Sequence, residues 1–361
     1  MFLSRLTARD FRNFETVELS PDPRFNILYG DNGQGKTNLI EAIFWLGTLR
    51  PIRTSRLREL NRWTTRACRV EGSVDLDGLI HELAVEFKDG QRQAYREGKK
   101  ARNQGYFGAL SVVLFTPEDV GLIRGAPEKR RRFMDRAIFT GRPSHLDDFM
   151  NYRRALDARN KILRDDGPSE LLDVYEQTLA TSALKLIRAR MQYIDSIEEF
   201  FKANLAIILG EEYRCSIKYK PSIDPGGDGI SRLMDIWAQD RARDRDRGFT
   251  QRGPHSDDLN FSILGHSART YASQGQQRSM VLAMKISEIQ LLEEQKKQVP
   301  VVLLDDVSSE LDANRNAKLF EFLNGFKGQV FITTTDPNFL RIDGDRSLWQ
   351  VHNGTISRTK D

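Results

Sequence analysis

Gly30-Asp31-Asn32-Gly33-Gln34-Gly35-Lys36-Thr37 is the stretch on which the reading of the fold turns. It runs glycine, four residues, glycine, lysine, hydroxyl, which is the spacing of a phosphate-binding loop. Glycines let the backbone curl until several N–H groups face one anion, and a helix opening at Lys36 adds its positive end to the same charge. In such a loop the lysine reaches the outer phosphates and the Thr37 hydroxyl ligates Mg²⁺. The pattern arises by chance in roughly 1% of chains this long, taking glycine as about 7% of residues. Its flanks agree with it. Phe25-Asn26-Ile27-Leu28-Tyr29 reads as a strand running into the loop, and Asn38-Leu39-Ile40-Glu41-Ala42-Ile43 reads as the helix leaving it.

A loop of this kind needs a carboxylate at the end of a neighbouring strand. Val301-Val302-Leu303-Leu304 has the aliphatic continuity of a strand buried on both faces of a parallel sheet, and Asp305-Asp306 follows at once. Asp305 is placed to serve the metal, and Asp306 to orient or deprotonate an attacking water. Two acids after a strand also suit a simple turn; the loop far upstream argues against it. A second such strand, Val330-Phe331-Ile332, follows a helix at 314–325.

Between these ends the pattern changes twice. Strands are expected within 70–116. From Pro117 to Gly210 the chain reads as helical, and 169–209 holds neither glycine nor proline. There Ile187, Met191, Ile194, Ile197, Phe201, Leu205 and Ile208 fall on one stripe of a long amphipathic helix. Gly167-Pro168 marks a turn between antiparallel helices. Strand alternation returns at 213–219 and 259–264, and a helix spans about 279–296. The alternating charges of 241–247 read as a solvated face or mobile loop. The expected organisation is therefore α/β: a head formed from both chain ends, 1–116 and 211–361, with a helical lobe, 117–210, inserted between them.

Composition narrows the classes. The 361 residues are 39% hydrophobic and 29% charged, with a net charge of +4. No run of 18 apolar residues occurs, the N-terminus lacks the apolar run of a signal peptide, and no membrane partner is expected. Cys68 and Cys215 match no metal spacing and read as free thiols of a reducing cytoplasm. Charge is uneven. Arg124, Lys129, Arg130, Arg131, Arg132 and Arg136 face only Glu128 and Asp135 within one short stretch, and Arg53, Arg56, Arg58 and Arg62 form a second basic string. Either string can neutralise DNA phosphates or form internal salt bridges. No base-reading module is visible, so any DNA recognition would rest on backbone and shape.

Two more motifs bear on the class. Ser273-Gln274-Gly275-Gln276-Gln277-Arg278, a serine and glycine at a helix start, resembles the signature loop of ABC-type ATPases. Ser308-Ser309-Glu310-Leu311-Asp312 resembles their D-loop. Each is weak alone; in the order P-loop, signature, double acid, D-loop they reinforce one another. In that superfamily the signature serine reaches the γ-phosphate bound on the opposite subunit.

The chain further resembles the RecF family of SMC-like ABC ATPases over nearly its full length. The resemblance rests on Phe11-Arg12-Asn13-Phe14, Phe115-Thr116-Pro117-Glu118-Asp119, Leu122 to Pro127, Arg130 to Asp135, the signature segment and Asp305 to Asp312. It implies ATP and Mg²⁺ as ligands. Arg12, Gly30, Asp31, Asn32, Gly33, Gln34, Gly35, Lys36, Thr37 and Asn38 would hold the nucleotide on one copy, and Ser273, Gly275 and Gln276 would approach it from another. Lys36, Asp305, Asp306 and Ser273 would be the catalytic set, with Thr37 and Asp305 on the metal. It implies a weak, DNA-stimulated ATPase that dimerises with ATP, binds double-stranded and gapped DNA, and works with RecR and RecO in loading RecA. The expected location is cytoplasmic and nucleoid-associated.

Three departures stand out. The family's Gly-Pro-His-Arg-Asp-Asp segment appears as Gly253-Pro254-His255-Ser256-Asp257-Asp258. Thr333-Thr334-Thr335-Asp336 stands where many ABC ATPases carry a histidine, and no plain Q-loop glutamine is seen near Thr116 to Asp119. The short Asp306 carboxylate, with no histidine after the last strand, points to slow hydrolysis, and whatever the family arginine at position 256 contacts is in question. An SMC-type DNA-organising ATPase, a transporter's nucleotide-binding subunit and a scaffold that binds ATP with little turnover remain alternatives. The first lacks its long coiled coils here, with no sustained heptads, and the second carries a smaller helical insertion than the one between Thr37 and Ser273.

Overall fold

The computed structural model describes residues 1–54, 56–306 and 311–359. In chain order the elements begin with β1 (Phe2–Phe11), β2 (Phe14–Leu19), β3 (Phe25–Tyr29), α1 (Lys36–Thr48), β4 (Ala67–Leu76), β5 (Leu79–Lys88), β6 (Gln91–Arg96), β7 (Lys99–Ala101), α2 (Asn103–Tyr106) and β8 (Val112–Phe115). Next come α3 (Gly121–Arg124), α4 (Pro127–Gly141), α5 (His145–Arg164), α6 (Ser169–Leu209), β9 (Cys215–Lys220), α7 (Ile230–Arg247), β10 (Asp258–Ile263), β11 (His266–Ser267) and α8 (Ala268–Tyr271). The last are α9 (Gln274–Lys296), β12 (Val301–Leu304), α10 (Ala313–Gly325), β13 (Val330–Thr334), β14 (Arg346–His352) and β15 (Thr355–Thr359). The chain divides into two compact units, Met1–Asp119 with Leu282–Asp361, and Val120–Val281.

The first unit holds two sheets. One is antiparallel, in the order β2-β1-β4-β5-β6-β7. The other runs β15-β14-β3-β13-β12-β8, parallel throughout except for β15 at its edge. β8, β12 and β13 are buried along their whole length, as their unbroken aliphatic runs require when both faces of a sheet are covered. Gln329, fully buried before β13, joins the two sheets. It accepts the Leu3 N–H at 2.8 Å and donates to the carbonyls of Leu3 and Asp22 at 2.9 and 2.8 Å. The parallel register brings the carboxyl ends of β3, β12 and β13 to one sheet edge, where open α/β sheets bind their ligands.

The second unit packs α5, α6 and α7 around Leu179, Ala183, Ile187, Leu233 and Trp237. The predicted stripe of α6 is buried at Ile187, Ile194, Ile197, Phe201, Leu205 and Ile208, whereas Met191 is 41% exposed. Gly167-Pro168 does separate α5 from α6. The unit runs on to Val281 rather than stopping at 210, because the sheet β11-β10-β9 needs cover for its apolar face. It finds that cover on α6, where the rings of Phe201 and Phe261 lie 6.0 Å apart.

Of two readings of charge, one is corrected here and one that was open between two alternatives is decided in part. The 241–247 stretch is the end of α7, and part of it faces inward. Asp244 is 1% exposed and takes Arg159 at 2.7 Å, while Arg241 pairs with Glu176 and Asp173 and Arg245 with Asp166. Within 124–136, Arg130 is buried in a two-pronged pair with Asp258 at 2.6 and 3.0 Å, and Arg131 donates to the Asp257 carbonyl at 2.7 Å. Those two arginines brace the unit. Arg132, with Glu128, stays on the surface. The Gly253–Asp258 segment receives the braces: buried Asp257 also accepts Arg190, the Tyr219 hydroxyl and the Ser222 N–H, and the Ser256 hydroxyl donates to the Gln251 carbonyl at 2.7 Å.

Arg190 of α6 also grips Asp135 of α4 through two bonds of 2.9 Å. Burial opposes ionisation of Asp135, but Arg190 and then His145 outweigh it and hold the carboxyl down to about 2. A folded-state value below the ordinary 3.8 stabilises above that value and is lost as pH falls toward 2, on the order of 2 kcal/mol in all. Acid titration followed by circular dichroism is expected to show this loss between about pH 4 and 2. In D135N, already destabilised at neutral pH, that segment of the dependence is flattened.

Candidate nucleotide site

The loop between β3 and α1 adopts the conformation its glycines permit. Gly30 and Gly35 have φ of +149° and +117°. A Cβ on Gly30 would lie 2.3 Å from the Val351 carbonyl oxygen, and one on Gly35 would lie 2.6 Å from the Asn13 amide, so neither position has room for a side chain. Lys36 folds back over the loop. Its Nζ donates to the Gly30 carbonyl at 2.6 Å and to that of Asp31 at 2.9 Å. Asp31, Asn32 and Gly33 are exposed at the rim.

Asp305, at the end of β12, meets the start of α1. Thr37 donates its hydroxyl to Asp305 Oδ1 at 2.8 Å, and Thr333 of β13 donates to the same oxygen at 2.9 Å. The Thr333 hydroxyl in turn accepts the Asp306 N–H at 2.8 Å. Two parallel strands, β12 and β13, and the helix α1 are thereby tied through a single carboxylate oxygen. Asp306 itself sits at φ +51°, in the left-handed region where short polar side chains are tolerated best.

The charges in this knot pull in opposite directions. Burial pushes the Lys36 ammonium down from its ordinary value, against the attraction of Asp306, Asp305 and Asp31. Burial pushes the Asp305 carboxyl up, against the hydrogen bonds from Thr37 and Thr333 and the charge of Arg53. An anion beside Lys36 and a cation beside Asp305 would each reverse these shifts. The donor set fits Mg²⁺ with a triphosphate: one hydroxyl and one carboxylate leave positions for waters and phosphate oxygens, which Mg²⁺ prefers to an all-protein cage.

Behind the loop stands a second layer that the motif itself does not name. Asn13, in the turn from β1 to β2, donates to the Gln34 carbonyl at 2.9 Å and accepts from the Asn38 amide at 2.7 Å. The Gln34 side chain accepts the Asn353 N–H at 2.7 Å. Arg12 is engaged elsewhere than the loop. Its guanidinium binds Glu41 at 2.8 and 3.1 Å and the Glu59 carbonyl at 2.7 Å. Glu41, fully buried on α1, also accepts the N–H groups of Ile52 and Arg53. Asn13 and Thr333 were the residues that motif reading passed over, although both lie inside segments it had singled out.

The remaining motifs divide. Ser273 belongs to the second unit, exposed at the start of α9. It forms a reciprocal cap there: its hydroxyl accepts the Gln276 N–H at 3.2 Å, and the Gln276 side chain accepts the Ser273 N–H at 2.8 Å. Ser308, Ser309 and Glu310 of the D-loop segment lie outside the described residues, while Asp312 caps α10 by accepting the Arg315 N–H. Near Thr116 to Asp119, buried Lys285 of α9 donates to the Leu114 carbonyl at 2.7 Å and approaches Asp119 at 3.7 Å.

Comparison with known proteins bears on the family and the fold. Residues 2–356 match the family model described as the RecF/RecN/SMC N terminal domain. The DNA replication and repair protein RecF of Myxococcus xanthus is 42% identical over 373 aligned positions, covering 100% of this chain and 98% of that protein. RecF of Geobacter metallireducens is 38% identical over 364 positions, covering 99% and 100%. The solved structure of the recombination mediator protein RecF-ATP in the RecFOR pathway superposes with a TM-score of 0.91 at 30% identity, over 99% of this chain and 98% of that one. The Smc head bound to the C-terminal winged-helix domain of ScpA shares the fold alone, at 14% identity and a TM-score of 0.57 over 99% and 98% of the two chains. In sequence and in fold, this chain belongs to the RecF family of SMC-like ABC-type ATPases.

Proposed function

We propose that the chain is an ATP-switched DNA-binding protein of recombinational repair. Two copies close on ATP, hold DNA at single-strand gaps or junctions, and let go after slow hydrolysis. One observation carries the reading: Lys36 and the Thr37–Asp305 pair converge at the carboxyl edge of a parallel sheet, beneath a loop that only glycines can form.

Lys36, Gly33 and Gly35 would hold the phosphates, with Asn13 and Asn38 fixing the shape of the loop. Thr37 and Asp305 would hold Mg²⁺, which supplies charge neutralisation at the phosphates. Asp306 would orient or accept a proton from the attacking water, and its N–H bond to Thr333 fixes its backbone for that task. Ser273, exposed on a helix start, would reach across to the triphosphate held by the other copy, its hydroxyl and helix-end amides meeting an anion as the loop's do. Arg56 and Arg58, exposed beyond α1, would meet DNA phosphates together with Arg53 and Arg62. By likeness to relatives named for the RecFOR pathway, the partners would be RecR and RecO, and through them RecA.

K36M is expected to abolish ATP binding and, with it, the shift from monomer to dimer that ATP but not ADP produces in analytical ultracentrifugation. An ATP-dependent dimer of K36M would sink the clamp. S273A is expected to bind ATP on the single copy and yet not dimerise; a dimer of wild-type strength would remove Ser273 from the shared site. D306N should lower single-turnover hydrolysis by about 10²-fold or more while the ATP dimer persists, and hydrolysis at the wild-type rate would mean that another group serves the water.

A further inference from the structure

Of the four tryptophans in this chain, Trp45, Trp237 and Trp349 are buried and Trp63 is 90% exposed. It stands at the corner of the turn Arg62-Trp63-Thr64-Thr65, closed by the Thr65 N–H donating to the Arg62 carbonyl at 3.0 Å. The Thr65 hydroxyl donates to that carbonyl as well, at 2.9 Å. Thr64 has φ +75°, in the left-handed region that a β-branched residue rarely enters and that such a turn normally fills with glycine.

The turn is anchored rather than loose. Arg62 donates its N–H to the Asp10 carbonyl at 2.7 Å, Arg12 donates its N–H to the Leu60 carbonyl at 2.7 Å, and Phe11 bridges to Asn61. The indole is thus displayed on a fixed platform whose other side holds α1 through Arg12 and the phosphate loop through Asn13.

Its surroundings are basic. Residues 53–66 carry five arginines against one acid, Glu59. Arg56, Arg58 and Arg66 are exposed and enter no ion pair among the described residues, while Arg62 is shared with Asp10 and Glu15. A projecting aromatic face among unneutralised arginines is the chemistry that takes a single strand: the ring stacks on a base and the guanidinium groups take the flanking phosphates. A base within a duplex has both faces covered by its neighbours, so only an unpaired one is free to stack on this ring.

We infer that Trp63 stacks on an unpaired base where one DNA strand leaves its duplex, with Arg56, Arg58 and Arg66 on the adjoining phosphates. The inference rests on the reading that the chain binds DNA, and it names the contact that would distinguish a gap from continuous duplex.

The test uses the full chain with ATP, a gapped duplex and a continuous duplex of the same length. Because the other indoles are buried, acrylamide quenching of tryptophan fluorescence reports mainly on Trp63. Gapped DNA should shield it and continuous duplex should leave it accessible. W63A should lower the preference for gapped over continuous DNA about 10-fold, and W63F should restore most of it. A preference unchanged in W63A, or Trp63 equally quenched with gapped DNA bound, overturns the inference, even if both DNAs still bind. Wild-type chain that binds neither DNA would overturn the DNA reading itself.

Discussion

A single carboxylate oxygen organises the first unit. Asp305 Oδ1 accepts one hydroxyl from the first turn of α1 and another from the end of β13, while Asp305 itself closes β12. Such a buried charge is costly unless it is hydrogen-bonded, and the two threonines, with the charge of Arg53, offset part of that cost. The parallel register of β3, β13 and β12 makes the meeting possible, since it ends three strands at one edge. The knot therefore links the sheet's topology to the chemistry of the phosphate loop. A shift of one residue in either strand would turn Thr333 or Asp305 to the opposite face of the sheet.

The second unit is held by a different device. Arg159, Arg190 and Arg130 are buried, each against at least one carboxylate, and the arginines draw α4, α5, α6, α7 and the Gly253–Asp258 segment into one frame. Buried ion pairs seldom add net stability over a well-packed apolar replacement, but removing one partner strands the other charge. Their value here is positional, since each guanidinium accepts only a narrow set of partners and directions. This explains how an arginine-rich segment that reads as a phosphate-binding surface turns inward in part. Arg130 and Arg131 serve Asp258 and the Asp257 carbonyl, whereas Arg56, Arg58 and Arg66 of the 53–66 segment stay exposed.

The turn at Arg12-Asn13 joins these themes. Asn13 supports the phosphate loop, Arg12 binds Glu41 on α1, and the backbone of Arg12 holds the chain that leads to Trp63. These short polar contacts run without a break from the loop and α1 to the basic segment. Glu41, fully buried with five donor groups on its carboxylate, is the least replaceable member of that linkage.

What the residues decided alone is what local chemistry can encode. Glycine spacing, a lysine before a hydroxyl, two acids after four aliphatic residues and a glycine-free amphipathic run gave the loop, the buried strand and α6, because each is a property of neighbours in the chain. Only tertiary structure decided which charges are spent inside. Arg130, Arg241 and Asp244 look like surface charge in sequence, and their partners lie up to 128 residues away. The same holds for Thr333, an ordinary strand residue until the parallel register sets it beside Asp305, and for Gln329, whose partners sit near the other end of the chain. Hydrogen bonds between distant segments leave no periodic trace, so their geometry had to be seen in the fold.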